Sequence, residues 1–207
     1  MTSFYTPSAS GESEVVEKRS RFLGHLRPIS SEEEAKTFLS ETKKQFHDAR
    51  HNCWCYRIYD GPERFSDDGE PQGSAGMPML EVFRRENVSN FVCVVTRYFG
   101  GVLLGTGGLS RAYSAAAKEA LLAAGLTASG KWTEICFSCP YALLERSRNE
   151  LLDAGAVIDS MDYGSDVSVY AHLPEHTAAA VCDRLVELSA GKIAPLIGET
   201  VLRSSEE

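Results

Sequence analysis

Three carboxylates stand close together in a glycine-rich part of the chain, GPERFSDDGEPQGSAGMP. They are Asp67, Asp68 and Glu70. Such a cluster could bind Mg²⁺ or perform acid–base catalysis. It could also form turns, because Asp-Gly favours them. A third interpretation, which we favour, is that one carboxylate pairs with Arg97 or Arg111 and thereby orders the loop.

Glycines and arginines form a second candidate site. Five glycines separate an apolar, β-branched run from an alanine-rich one. They are Gly100, Gly101, Gly105, Gly107 and Gly108. Glycine lets a backbone turn sharply and approach a ligand closely, and a helix start exposes unpaired N–H groups that suit an anion. Because Arg97 precedes this loop and Arg111 follows it, the segment indicates either an anion site or only a tight crossover.

The common phosphate-binding motifs are absent from this loop. A Walker loop requires GxxxxGK[ST], whereas the chain reads GVLLGTGG without a lysine. A dinucleotide fingerprint requires GxGxxG after a strand, and Ser110 stands in the place of its last glycine. We therefore predict no cofactor.

His51, Cys53 and Cys55 alternate along a predicted strand, which places them on one face. Such a set could bind zinc, but structural zinc sites space paired ligands by about two to four residues across a turn. A C-x-C pair on a straight strand splays its thiolates. We interpret the cysteines as buried apolar residues and predict no metal site. The sequence shows no nucleophile–base pair, so no catalytic residue is predicted.

These side chains must be positioned by a strand, a loop and a helix. The run Phe91–Val95 predicts a buried strand. Ser110–Ala124 predicts a helix that ends at Gly125. Met79–Arg85 predicts a shorter helix, and Gly61–Pro78 predicts an irregular loop long enough to be functional.

Upstream, a basic hairpin precedes a capped helix. The alternation within Glu14–Ile29 predicts two short strands around Lys18, Arg19 and Arg21. Cations there can protect a solvated edge strand from further pairing, or they can contact RNA. The motif Ser31-x-x-Glu34 is a capping box and predicts a helix start.

The C-terminal part has a different pattern, βαββαβ, which is typical of a ferredoxin-like sandwich. The predicted strands are Ile135–Cys139, Ala156–Tyr163, Val167–Leu173 and Ile193–Leu202. The predicted helices are Tyr141–Ala154 and Glu175–Ala190. Thr127–Trp132 is expected to be a connection. The CxxC of Cys136 and Cys139 lies within a strand, where its thiols face opposite sides, so a redox role is not predicted.

Charge divides the chain at the same place. The net charge of −8 argues against indiscriminate nucleic-acid binding. Residues 1–130 carry 15 Lys and Arg against 16 Asp and Glu, whereas residues 131–207 carry 6 against 13. Any RNA-contacting surface is therefore expected on the first part. We predict a disordered lead-in at 1–13, an N-terminal domain at 14–130 and a ferredoxin-like domain at 131–207.

The cellular location can also be predicted. No apolar run approaches the ~20 residues of a membrane span. The polar first residues do not form a secretory signal. We predict a cytoplasmic protein with no membrane partner.

The chain resembles the YigZ/IMPACT family in its bacterial two-domain form. The segments that carry the resemblance are DDGEPQGSAG at 67–76, RYFGG at 97–101 and LGTGGLSRAY at 104–113. Lys18, Arg21 and Phe22 fit the family's opening, and His51 fits the histidine before its third strand. Ser74 departs from the threonine that is common there. The resemblance covers nearly the whole chain after the lead-in.

The resemblance implies an α+β fold of two domains. The first is a β-α domain similar to a small-subunit ribosomal protein and to the fourth domain of elongation factor G. The second is similar to that factor's ferredoxin-like fifth domain. Eukaryotic relatives use an additional RWD domain to restrain a stress kinase that controls translation initiation. No RWD domain is expected in this sequence, so the kinase is not expected as a partner. Family members have also been labelled hydrolases.

We therefore expect a non-catalytic, translation-related modulator whose first domain binds RNA or the ribosome, with a protein of the translation machinery as an open alternative partner. Tyr98 and Tyr113 are expected to stack on bases. The expected binding residues are Lys18, Arg19, Arg21, His51, Asp67, Asp68, Glu70, Arg97, Tyr98, Gly100, Gly101, Gly105, Gly107, Gly108, Arg111 and Tyr113. The alternative is a hydrolase-like enzyme that holds a phosphorylated ligand at the helix start near Ser110 and uses the carboxylates as acid–base or Mg²⁺ groups.

Overall fold

A computed structural model describes residues 4–204. Their contacts divide them into two compact units, Phe4–Ala128 and residues 129–204. The strands are β1 (Phe4–Pro7), β2 (Gly11–Glu17), β3 (Ser20–Pro28), β4 (His51–Arg57), β5 (Glu63–Ser66), β6 (Phe91–Tyr98), β7 (Leu126–Cys139), β8 (Val157–Tyr163), β9 (Val167–Pro174) and β10 (Leu196–Ser204). The helices are α1 (Glu32–Gln45), α2 (Gly76–Arg85), α3 (Gly105–Ala124), α4 (Tyr141–Asp153) and α5 (Glu175–Leu188). The predicted α+β class with two domains is confirmed.

The first unit is built on an antiparallel sheet with helices on both faces. Its strand order is β2-β3-β6-β4-β5. Helix α1 covers one face, where Phe38 packs with Val94. Helices α2 and α3 cover the other face, where Phe83 and Leu121 join the larger core. The central strand β6 is buried from Phe91 to Arg97, which explains why its sequence is a continuous apolar run rather than an alternating one.

The expected disordered lead-in at 1–13 is wrong for the residues that the structure describes. Strand β1 and the start of β2 occupy most of it. Phe4 is buried, and its ring stacks on Tyr59 with centroids 4.0 Å apart. Gly11 packs so closely on α3 that an added Cβ would lie 2.1 Å from the carbonyl oxygen of Ala120. Both contacts join segments that are distant along the chain, so local composition could not indicate them. Residues 1–3 lie outside the described range.

Helix α3 begins at Gly105, earlier than the predicted start at Ser110. Glycine is a poor helix former, but Gly108 and Leu109 are buried, and this packing outweighs the low local propensity. The first turn of the helix therefore consists of residues that were expected to form a loop.

The predicted irregular loop Gly61–Pro78 is also shorter than expected. Strand β5 pairs with β4 inside it, and α2 already begins at Gly76. Cross-strand pairing with a segment that precedes the loop decides the first of these features, and local sequence does not report such pairing.

The second unit has the predicted ferredoxin-like order. Its strands run β10-β7-β9-β8, and each neighbouring pair is antiparallel. Helices α4 and α5 contribute Leu151 and Leu185 to one core. The expected connection Thr127–Trp132 is wrong, because it belongs to β7. Trp132 pairs there with Pro174 and Val201, which lie much later in the chain.

Candidate functional site

Three side chains from neighbouring strands form the floor of the candidate site. Arg97 on β6 pairs in register with Phe22 on β3 and with His51 on β4. Directly paired residues in an antiparallel sheet point to the same face. The guanidinium carbon of Arg97 lies 5.5 Å from the centroid of the Phe22 ring. The floor therefore places the guanidinium of Arg97 and the imidazole of His51 side by side on the face of the sheet that α3 covers.

Arg97 is nearly buried and is paired with Glu70. Its Nη1 donates to Oε1 of Glu70 at 2.7 Å, and the two side chains are 8 % and 4 % exposed. The hydroxyl of Tyr113 on α3 donates to the same oxygen at 2.9 Å. Burial raises the pKa of Tyr113, and the neighbouring Cys53 and Glu70 raise it further, so its hydroxyl remains a donor. The prediction that a loop carboxylate pairs with Arg97 is confirmed.

Asp67 holds the start of α2. The residue at the N-cap position, Ala75, offers no side-chain acceptor. Instead, Oδ1 of Asp67 accepts from the backbone N–H groups of Ala75 at 3.0 Å and Gly76 at 2.8 Å. Its Oδ2 accepts from the N–H of Gly73 at 2.8 Å. Asp67 thus performs the capping role of an N-cap aspartate from outside the helix.

Asp68 fastens the same loop to β4. Its Oδ2 accepts from the N–H of Asn52 at 2.8 Å, and its backbone carbonyl lies 2.8 Å from Nδ1 of His51. A carbonyl only accepts, so Nδ1 of His51 carries a proton, and Nε2 is the ring nitrogen that the loop does not engage. Asp67, Asp68 and Glu70 all bond to protein groups. The cluster therefore orders the loop.

A cavity of about 380 Å³ opens above this floor. Its polar lining consists of Arg50, His51, Glu70 and Arg97. Its apolar lining consists of Pro71, Phe99, Leu103, Leu104 and Leu109. The remaining lining is Gly69 with Gly105 and Thr106. The first N–H groups of an α-helix have no intrahelical partners. In α3 no side-chain cap and no acidic residue in the first turn compensates for this, and Gly105 and Thr106 line the cavity.

The basic hairpin lies against the loop that leads to α3. Lys18 and Arg19 form a two-residue turn between β2 and β3, with φ of 45° and 68°, as a type I′ turn requires. Gly100 passes so close that an added Cβ would lie 2.0 Å from the carbonyl carbon of Arg19. The N–H of Gly100 also donates to Oγ of Ser20 at 3.1 Å. Only glycine permits this approach.

The structure brings part of the expected binding set together. The members that line the cavity are His51, Glu70, Arg97 and Gly105. Four further members, Lys18, Arg19, Gly100 and Gly101, lie on the hairpin turn and on the loop after Phe99, which contact each other at Arg19 and Gly100. These eight residues come from four separate stretches of the chain, at 18–19, 51, 70 and 97–105.

The expected stacking by two tyrosines is not supported. Tyr113 is fully buried, so the expectation that it stacks on a base is wrong. Its burial follows from its place on the inner face of α3, which the later predicted helix start did not show. Tyr98 lies next to Arg97 on β6 and therefore points to the opposite face of the sheet. There its hydroxyl donates to Oδ1 of Asp48 at 2.9 Å.

Other expected residues also lie apart from the cavity. Arg21 is exposed, and its Nε lies 2.7 Å from Oε1 of Glu14. Arg111 is exposed on α3 and does not line the cavity. Gly107 faces solvent in the first turns of α3, whereas Gly108 packs beneath them.

Sequence reasoning missed Arg50, Phe99 and Leu103. Phe99 is 45 % exposed and Leu103 is 84 % exposed, although both are large and apolar. The signal that could have found them is the presence of large apolar residues next to glycines, since Phe99 precedes Gly100 and Leu103 lies between Gly101 and Gly105. Arg50 carried no such signal, because its place beside the cavity depends on how β4 packs.

Among residues 4–204, no three His, Cys, Asp or Glu side chains gather as metal ligands. The thiol of Cys53 donates to the carbonyl of Asp67 at 3.0 Å, and burial raises the pKa of Cys53 to about 12. The thiol is therefore neutral, in agreement with its interpretation as a buried apolar residue. No helix in the same range is long and apolar enough to cross a bilayer. The cytoplasmic location stays a prediction.

The fold and the site define a class of two-domain α+β proteins, in which a helix-covered antiparallel sheet with a glycine-rich cavity precedes a ferredoxin-like domain. The chain belongs to the IMPACT family. The model of the Impact N-terminal domain matches residues 18–121, and a domain of unknown function matches residues 137–192.

Similar proteins extend over nearly the whole chain. IMPACT family member YvyE of Bacillus subtilis is 38 % identical over 92 % of this chain and 88 % of its own length. IMPACT family member YigZ of Escherichia coli is 36 % identical over 86 % of this chain and 91 % of its own. A crystal structure described as that of a hypothetical protein is 33 % identical with a TM-score of 0.61, and the match covers 95 % of this chain and 97 % of that one. The resemblance to the YigZ/IMPACT family is confirmed.

Proposed function

We propose that this protein is a non-catalytic, translation-related modulator that binds RNA or the ribosome through its first unit. The observation that carries the proposal is one continuous surface formed by the hairpin turn, the glycine-rich loop and the start of α3. We call it the loop–hairpin face and define it by Lys18, Arg19, Arg50 and residues 99–106. Its cations and backbone N–H groups could bind the phosphates of an RNA, and its apolar residues could contact the bases.

The cations of this face are free to meet phosphates. Lys18, Arg19 and Arg50 take part in no salt bridge within the described residues 4–204, whereas neighbouring cations such as Arg21 and Lys43 are paired with carboxylates. Because these cations form no internal ion pair, none has to be broken when they contact a phosphate. Phosphate contacts supply most of the affinity for nucleic acid.

The apolar part of the face suits bases rather than water. Phe99, Val102 and Leu103 are 45 %, 40 % and 84 % exposed, respectively. An exposed aromatic ring beside cations is a typical stacking platform for single-stranded RNA. The uncapped start of α3 adds backbone donors, which bind phosphate at many helix N-termini.

Family membership supports the link to translation. By the resemblance, the first unit is similar to the fourth domain of elongation factor G and the second to its fifth domain, and this combination supports a translation-related role. A protein of the translation machinery that occupies the same face is the partner proposed if RNA is not. A hydrolase-like enzyme is not proposed, because Asp67, Asp68 and Glu70 are engaged in holding the loop.

The test is co-sedimentation of the protein with ribosomes at low and moderate salt, beside the double variant Lys18→Asn, Arg19→Gly. This pair removes both charges but keeps a sequence that favours the type I′ turn, so the hairpin should still fold. We expect pelleting that weakens as salt rises. Loss of two phosphate contacts should lower the slope of log affinity against log salt by about 1.4 for single-stranded RNA.

The matched control is Lys36→Gln, Lys44→Gln, which removes two exposed cations from α1, on the opposite face of the sheet. It should pellet like the wild type. Absence of pelleting at low salt, or equal loss in both double variants, would contradict the proposal. Pelleting that resists nuclease and salt but is lost with Lys18→Asn, Arg19→Gly would favour the protein partner over RNA.

A further inference from the structure

Arg97 retains hydrogen-bonding capacity that the protein does not use. A guanidinium has several N–H donors in a rigid plane. Nη1 donates to Glu70, but Nε has no partner among residues 4–204, on a side chain that is only 8 % exposed. A buried donor without an acceptor destabilises a fold, so its presence calls for an explanation. Arg97 also lines the cavity, so this nearly buried guanidinium is a cation beside which a ligand would bind.

The start of α3 adds donors on the same cavity. Gly105 and Thr106 line it, and no side chain caps this helix. Arg50 also lines the cavity, is exposed and forms no salt bridge in the described part of the chain. The Glu70 carboxylate belongs to the lining too, but Arg97 neutralises it and only 4 % of its side chain is exposed. The net character of this end therefore favours an anion.

The apolar lining of the cavity, which we call the base wall, includes an aromatic ring. Phe99 belongs to it together with Leu103, Leu104 and Leu109. The guanidinium carbon of Arg97 lies 5.6 Å from the centroid of the Phe99 ring, so a planar group could stack on the ring beside a cation. Inorganic phosphate alone would leave this wall uncovered. The volume of about 380 Å³ falls in the range of small-molecule sites.

We infer that this cavity binds one nucleoside phosphate, with its phosphate at the start of α3 beside Arg50 and its base against Phe99. The terminal nucleotide of an RNA chain and a free mononucleotide share this chemistry. The inference rests on the proposed function only in treating RNA as one source of that nucleotide.

The experiment titrates the whole protein by calorimetry and melting temperature with a matched set of probes. The small probes are the four nucleoside monophosphates, the corresponding nucleosides, ribose phosphate and inorganic phosphate. The chain-end probes are one short RNA prepared with and without a terminal phosphate at either end. Binding by the monophosphates, or by the phosphorylated RNA end alone, supports the inference and distinguishes the two sources.

Two variants test the phosphate position at the start of α3 and the base position at Phe99 separately. Thr106→Asp places a carboxylate in the first turn of α3, which stabilises the helix but repels an anion, so a loss of binding cannot be ascribed to unfolding. It should weaken the binding of every phosphorylated probe by about tenfold or more. Phe99→Ala should weaken nucleotides and leave inorganic phosphate unchanged. Arg85→Gln, which removes an exposed cation from the last turn of α2, is the control and should behave like the wild type.

Several outcomes would overturn the inference. Equal affinity for inorganic phosphate, ribose phosphate and nucleotides would remove the role of the base wall. Binding that survives Thr106→Asp would remove the phosphate from the helix start. If no small or chain-end probe binds while salt-sensitive ribosome pelleting persists, this inference fails and the proposed function stands. If nucleotides bind but the protein does not pellet with ribosomes, this inference stands and the proposed function fails.

Discussion

Nη1 of Arg97 lies 2.7 Å from Oε1 of Glu70, and both side chains are almost fully withdrawn from water. Arg97 belongs to the central strand β6, whereas Glu70 belongs to the acidic loop. The pair therefore ties the loop to the strand at the floor of the cavity. In such a place the attraction offsets a large desolvation cost, and the loss of one partner leaves a buried charge unpaired.

Glu70→Gln is expected to destabilise the first unit by about 3–5 kcal/mol, because the Arg97 charge then lacks its counter-ion. The free energy of unfolding can be measured with urea in a Trp132→Phe background, where Trp54 is the remaining tryptophan and reports on the first unit. Glu14→Gln is the control, since it removes an exposed partner of Arg21 and should change little. Equal stabilities of the Glu70→Gln and Glu14→Gln proteins would show that the buried pair does not matter.

Removal of the remote cap on α2 should give a graded loss of stability. Asp67→Ala leaves the N–H groups of Gly73, Ala75 and Gly76 without their acceptor. We expect a cost of about 2–3 kcal/mol, as for hydrogen bonds to a charged cap. Asp67→Asn keeps one oxygen for the helix start, but its amide meets the Gly73 N–H donor to donor, so its cost should be intermediate. Urea unfolding of the three proteins tests the order, and an asparagine variant as stable as the wild type would contradict it.

Two glycine substitutions should differ sharply. Gly100→Ala places a methyl group 2.0 Å from the carbonyl carbon of Arg19, so the hairpin must move. The cost should reach at least the roughly 1–3 kcal/mol typical of overpacking. At Gly107 the nearest atom to an added Cβ is Nη1 of Arg111 at 3.7 Å, and Gly107→Ala should be neutral or stabilise α3 by about 0.5–1 kcal/mol. Melting temperatures of the two variants provide the measurement, and similar losses in both would refute the close approach.

The stability of the first unit should depend on pH through His25. Burial lowers the pKa of His25 below its ordinary value of 6.5 and outweighs the Glu12 carboxylate, which raises it. The unfolded chain then takes up the proton more readily than the folded one. The contribution is present in full above pH 6.5 and is lost as pH falls from there through the lower folded pKa.

This dependence can be isolated with His25→Phe, which keeps the stacking of the ring on Phe46, now at 4.8 Å between centroids. Urea midpoints at about pH 7.5 and about pH 5.5 should fall further for the wild type than for the variant. Identical decreases would assign the pH dependence to other groups, which both proteins share.

Much of the fold could be predicted because its signals are local. The capping box at Ser31 works as expected, with its Oγ accepting from the N–H of Glu34 at 3.2 Å. The turn at Lys18 and Arg19 and the order of elements after Ile135 also follow from periodicity and turn residues close in sequence. Caps, turns and apolar periods depend on residues within one or two helical turns, so they can be predicted without knowledge of the rest of the chain.

The candidate site was predictable only in part. Two arginines flank the glycine-rich loop, so pairing of a loop carboxylate with Arg97 or Arg111 could be expected from sequence. Which carboxylate it is, and that Tyr113 shares it, depends on how α3 lies over the sheet. The same packing removed Tyr113 from the surface and brought Arg50 and Phe99 to the cavity.

By itself, the sequence determined the two-domain α+β class, the basic hairpin and the pairing of a loop carboxylate with one of two arginines, Arg97 or Arg111. Only the tertiary structure decided that α3 begins at Gly105, that Asp67 caps α2 from outside it, and that β7 continues through the expected linker. In each case, contacts between segments distant along the chain stabilise the observed structure by more free energy than the local sequence preference costs. No window of the sequence contains both partners of such a contact.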